Sequence, residues 1–125
     1  ISFEAVVLYF AAIFWTLGYD TIYGLQDIHD DEIIGIKSTS IKFKNNPKIF
    51  VSACYGLFIL FILILCFVME IDKYLLIFST FFILTLIYQI KIFKIADPMS
   101  CLTSFRINNL TGLFVFLFIF LFNIL

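Results

Sequence analysis

The sequence is short of nearly everything a water-facing surface needs. Of its 125 residues, 14% are charged, against about 25% in ordinary soluble domains. It has two prolines, five glycines, one tryptophan and one histidine. With so few chain breakers, long uninterrupted elements are expected. The three cysteines, Cys54, Cys66 and Cys101, form no CxxC pair and have no metal-ligand spacing to His29. That excludes a disulfide scaffold or a zinc site and leaves them as reduced packing residues. No Gly-rich phosphate loop, internal repeat or nucleic-acid patch occurs. The chain opens at Ile1 inside an apolar run, without Met and without the basic region and cleavage site of a signal peptide. It reads as the C-terminal part of a longer protein.

What fills the chain instead is apolar: 63% of residues, 18 of them Phe. The apolar runs are too long for barrel strands, so the fold class expected is all-α, a polytopic transmembrane helix bundle. About four spans are predicted, at 2–23, 49–69, 74–90 and 110–125, in a single membrane domain. Two polar loops, 32–48 and 91–106, separate them. Asn46-Pro47 and Asp97-Pro98 are each an N-cap followed by a first helical residue. The second pair predicts a short helix inside the second loop, with Asn108-Asn109 and Gly112 marking the start of the last span.

The net charge of −1 hides a segregation. Seven of the eight basic residues lie in or beside the two long loops: Lys37, Lys42, Lys44, Lys48, Lys91, Lys94 and Arg106. By the positive-inside rule both loops face the cytoplasm, or the matrix side in an organelle, and the turn at Glu70 to Lys73 faces the other way.

Tyr19 to Thr39, YDTIYGLQDIHDDEIIGIKST, holds five of the nine acidic residues and the only histidine. On a helix continued to about Asp31 and broken at Gly35, Asp20, Asp27 and Asp31 fall within about 40° of one another, along about 16 Å. Gly24 shares that face without a side chain to block it, while Thr21, Ile22 and Leu25 point elsewhere. Converging carboxylates repel unless a hard cation holds them, and Mg²⁺ commonly bridges carboxylates to substrate phosphates. A solvated acidic helix end is the plain alternative. The stripe runs straight out of a membrane span, where acids are costly and functional, and this favours a metal site.

The stretch Asp20 to Thr39 resembles the second aspartate-rich motif of the UbiA family of intramembrane prenyltransferases. Within that family it is most similar to the 4-hydroxybenzoate polyprenyltransferases of ubiquinone synthesis. Tyr19, Asp20, Thr21, Tyr23, Asp27, Asp30, Asp31, Gly35, Lys37, Ser38 and Thr39 fit the pattern. Gly24 replaces the usual Ala, a change expected to matter little. Asn108-Asn109 and Gly112 resemble the start of the family's last helix.

The resemblance implies the last four helices of a nine-helix fold, completed by the missing N-terminal half of the same protein with its own aspartate-rich motif. It also implies an enzyme of a bacterial or mitochondrial inner membrane. That enzyme takes polyprenyl diphosphate and 4-hydroxybenzoate as substrates, works in contact with membrane lipid, and uses Mg²⁺. Asp27 and Asp31 are the first candidates for metal ligands. Asp20 is expected to bind metal or steer the acceptor, Lys37 to contact diphosphate, and Tyr23 to line the pocket or stabilise a cation through its π face. Asp30 lies off the stripe, and His29 points away from it. A sibling enzyme with a naphthoate, homogentisate or haem acceptor is the alternative. A cation channel or transporter is disfavoured, because the later spans carry no mid-membrane acid.

Overall fold

The computed structural model describes residues 2–27, 32–35, 38–70, 73–94 and 97–124. Four long helices dominate: α1 (Phe3–Gly24), α2 (Pro47–Val68), α3 (Lys73–Ile92) and α4 (Pro98–Ile124). A 3-10 turn, Leu25–Asp27, follows α1, and a one-turn helix, Thr39–Lys42, precedes α2. α1, α2 and residues Pro98–Leu121 of α4 are long and apolar enough to cross a membrane, and α3 contributes a shorter apolar stretch, Leu76–Ile92.

Three of the long helices start where local chemistry favours it. The Ser2 hydroxyl accepts the N–H of Ala5 at 3.1 Å. Asn46 precedes Pro47, whose missing N–H costs nothing at a first helical position. The Asp97 carboxylate accepts the N–H groups of Met99 and Ser100 at 3.1 and 3.3 Å.

That last cap starts a helix running without a break to Ile124, which corrects the expected 91–106 loop and its short helix. Asn108 and Asn109 lie inside α4, not at its start. The polar residues that read as loop are satisfied within the bundle. Thr103 Oγ1 donates to Met99 O at 2.9 Å. Ser104 Oγ donates to Gln89 O at 2.9 Å.

The helices alternate in direction. Along α1, Gly18, Trp15 and Phe14 meet Tyr55, Phe58 and Phe61 of α2, so numbers fall as their partners' rise. Phe58 meets Phe82 on α3, Phe82 meets Phe118 on α4, and Tyr19 of α1 meets Phe105 of α4. The four therefore close into an up-down-up-down ring. The α1 C-terminus, the α2 N-terminus, the α3 C-terminus and the α4 N-terminus therefore share one end, and the Glu70 turn lies at the other.

In lipid the hydrophobic effect does not drive helices together, so close packing and interhelical hydrogen bonds must. Gly18 supplies the first. A side chain there would collide with the ring of Tyr55, which fills that space and is itself buried.

Candidate functional site

A polar network runs through the apolar bundle and touches every helix. The Trp15 indole N–H donates to Asn108 Oδ1 at 2.9 Å. An indole nitrogen only donates, so the Asn108 atom facing it must be the oxygen. That oxygen also takes Gln89 Nε2 at 3.3 Å, which fixes the Gln89 amide in turn. Gln89 Oε1 then faces the Tyr55 hydroxyl, which donates at 2.7 Å. Gln89 Nε2 also donates to Thr111 Oγ1 at 2.9 Å. Thr111 pairs with Thr85 at 2.6 Å, and Thr85 donates to Phe82 O at 2.7 Å. Gln89 and Thr111 are fully buried. Among the described residues no buried side-chain polar atom lacks a partner. The sequence marked Asn108 but not Gln89; a lone amide within an apolar helix was the available signal.

Next to this network, the end of α1 that leads into the first lysine-bearing connection carries the start of the acidic motif. Thr21, Ile22 and Leu25, which the wheel turns away from the acidic face, are buried. Asp20 is exposed, and no described Lys or Arg lies within ion-pair distance of it; Lys44 instead pairs with Glu32 at 2.8 Å. Tyr23, one turn on, is 45% exposed. Its ring lies 4.6 Å from that of Phe105, and Phe105 also touches Tyr19. Tyr19, Tyr23 and Phe105 thus form an aromatic cluster between α1 and α4, on the stretch of α1 that carries Asp20.

The end of the motif folds back onto its beginning. Ser38 Oγ accepts the N–H of Ile41 at 3.3 Å and starts the Thr39–Lys42 turn. Thr39 Oγ1 meets Thr21 Oγ1 at 2.7 Å, and Ser40 Oγ donates to Thr21 O at 2.8 Å. The Ser-Thr-Ser segment is therefore a clasp on α1, one residue from Asp20.

This clasp changes two expectations. The face of Gly24 is not open: a side chain there would collide with Ser40, so Ala in place of Gly24 is not an indifferent change. Nor does one α-helix carry the whole stripe. Thr21 O is shared with Ser40, and the Leu25 N–H reaches Ile22 O as well as Thr21 O. The chain tightens into a 3-10 turn, which advances about 120° per residue. The straight-helix register thus holds from Asp20 to Gly24. The backbone of Asp27 closes the 3-10 turn. His29, Asp30, Asp31 and Lys37 lie outside the described residues. Of the candidate site residues, Asp20 and Tyr23 lie three positions apart on α1, a spacing that makes them neighbours on the helix surface.

Among the described residues no three His, Cys, Asp or Glu side chains form a cluster. Cys54, Cys66 and Cys101 are free thiols, buried in the packing as expected. An exposed carboxylate without a cationic partner, at the end of an apolar helix, has the donor chemistry a hard divalent cation takes.

Membrane-length apolar helices, an internal polar network and an acidic motif at one mouth define a polytopic helical membrane protein. Residues 1–118 match the UbiA prenyltransferase family, and the chain belongs to that family. It is 36% identical over 112 residues to the mitochondrial 4-hydroxybenzoate polyprenyltransferase of Dictyostelium discoideum, covering 90% of this chain and 24% of that protein. It is 37% identical over 121 residues to the 4-hydroxybenzoate octaprenyltransferase of Saccharophagus degradans, covering 91% of this chain and 38% of that protein. The Coxiella burnetii enzyme of the same name is 32% identical over 113 residues, with 90% and 39% covered. The chain thus spans well under half the length of these relatives. No solved structure matches it.

Proposed function

We propose that the chain supplies the second aspartate-rich half-site of a 4-hydroxybenzoate polyprenyltransferase, in a bacterial or mitochondrial inner membrane. The observation that carries this reading is the acidic motif itself. Asp20 and Tyr23 stand on its open edge, and Thr39 and Ser40 clasp its far end to Thr21. The names of the relatives support the benzoate acceptor over naphthoate, homogentisate or haem.

In this reading Asp27 and Asp31, with Asp20, hold Mg²⁺. When bound, the ion offsets the charge that develops as diphosphate departs. Lys37, two residues before Thr39 in the chain, contacts the diphosphate. The C–O bond of the allylic diphosphate breaks and its electron pair leaves with diphosphate. The ring carbon ortho to the phenol bonds to the allylic carbon, and that ring carbon loses its proton. Tyr23 presents a π face to the allylic cation. The apolar helix surfaces wall the prenyl tail.

Three carboxylates meeting a diphosphate would repel by several kcal/mol in a low-dielectric mouth. A second set of metal ligands is therefore needed, and the N-terminal half of the protein is proposed to bring it. The test is prenylation of 4-hydroxybenzoate by the detergent-solubilised full-length protein with Mg²⁺ and a polyprenyl diphosphate. Asp27→Ala or Asp31→Ala should lower turnover by orders of magnitude, and His29→Ala should leave it near normal. Normal rates in both Asp variants would sink the assignment.

A further inference from the structure

At the end of the bundle that bears the basic loops, a cavity of about 460 Å³ opens between the first turn of α2 and the end of α3. Its floor is apolar: Pro47, Ile49 and Phe93. Its rim is polar and cationic: Asn45, Asn46, Lys48 and Lys94. Ile49 is 70% exposed, as an apolar side chain at the edge of a bilayer can be.

Among the described residues no salt bridge neutralises the charge on this rim. No described carboxylate lies within ion-pair distance of Lys48 or Lys94; the Lys44–Glu32 pair lies elsewhere in the loop. The nearest acid in sequence, Asp97, is committed to the N–H groups of Met99 and Ser100. Lys48 is held in place rather than free to swing. Its ammonium donates to Ile90 O at 2.5 Å and Lys91 O at 3.4 Å, and it sits 4.6 Å over the Phe93 ring. It covers the carbonyl end of α3, whose partial negative charge would otherwise repel an anion. The result is a pinned cation, a second cation beside it and an apolar floor beneath, at the level where a helix enters the membrane.

We infer that this cavity binds the headgroup of an anionic phospholipid from the leaflet that faces the basic loops. The phosphate oxygens meet Lys48 and Lys94, the Asn45 and Asn46 amides meet the ester and glycerol oxygens, and one acyl chain descends along Ile49. A soluble anion would leave the apolar floor unused. A zwitterionic lipid would bring its own cation towards two lysines. Basic pockets between helices at a membrane surface select anionic headgroups for this reason.

The test uses the delipidated full-length protein in nanodiscs of phosphatidylcholine, with and without phosphatidylglycerol. Retained lipid is counted by native mass spectrometry, a readout that needs no turnover and so stands whether or not the proposed prenyl transfer is correct. Phosphatidylglycerol should be retained and phosphatidylcholine lost. Lys94→Gln should weaken retention about fivefold, the effect of one basic residue at an anionic surface. Lys94→Arg should keep it. Lys42→Gln, a basic loop residue outside the cavity, should leave it unchanged. Equal retention of the two lipids, or an equal loss in Lys42→Gln and Lys94→Gln, would overturn the proposal. Displacement of the lipid by millimolar-range inorganic phosphate alone would overturn it too, in favour of a free-anion site.

Discussion

Single atoms decide much of this bundle. Tyr55 occupies the place of a side chain that Gly18 lacks. Gly18→Ala must push a buried ring away from its hydrogen bond to Gln89, and should destabilise the protein by about 1–3 kcal/mol, the usual cost of overpacking. Thermal unfolding in detergent checks this, with Gly56→Ala as control, since nothing lies within 4 Å of a side chain placed there. Trp15→Phe keeps the stacking on Phe58 but removes the donor that orients Asn108. Interhelical hydrogen bonds in membranes average about 0.6 kcal/mol. A loss near that size is expected, and a loss several times larger would show that the whole amide chain had reorganised. Such residue-level detail was only partly legible beforehand. That Thr21, Ile22 and Leu25 point away from the acidic face followed from helical spacing; their burial came from the packing around α1. The partner of Gly18 lies on another helix, and no spacing within α1 points to it.

At the scale of elements, α4 is the instructive case. Its Asp97-Pro98 start is readable in sequence, but its length is not. Ser100, Thr103, Ser104 and Asn108 look like loop residues, and become helical because partners stand ready: Asp97 O, Met99 O and Gln89 O accept from the three hydroxyls, and the Gln89 amide donates to Asn108. Asp97→Ala removes an N-cap carboxylate, and should cost about 0.5–2 kcal/mol, with the loss concentrated at the start of α4. Amide exchange should rise at Met99 and Ser100 before it rises at Thr111; uniform loss of protection along α4 would count against a local cap. The clasp on α1 makes a second prediction. Gly24→Ala should displace Ser40 from Thr21 and expose Thr39 to solvent. Under the proposed function this should lower prenylation by the full-length protein, while Ser40→Ala combined with Gly24→Ala should restore part of it, by removing the colliding hydroxyl.

For the whole molecule, alternating helix directions place the two lysine-bearing connections at one end. The orientation we propose from the positive-inside rule has that end in the cytoplasm or matrix. Single cysteines at Asn45 and at Met99 should react with a membrane-impermeant reagent from that side, and a cysteine at Glu70 from the other. Labelling of Asn45 and Glu70 from the same side would refute the topology.

Composition and periodicity alone were enough to establish a helical membrane protein, the reduced state of its cysteines and the family of its acidic motif. These rest on properties that a chain carries locally: apolar length, residue spacing and a short motif. Three features depended on distant residues meeting. α1 tightens after Gly24 because Ser40, 16 positions on, takes a share of the Thr21 carbonyl. α4 extends to Pro98 because Gln89 and Trp15 supply partners for its polar side chains. Lys48 becomes a pinned cation because the carbonyl end of α3 and the Phe93 ring lie beneath it. In each case a polar group inside or beside a membrane must find a partner, and only the packing of helices decides which one it finds.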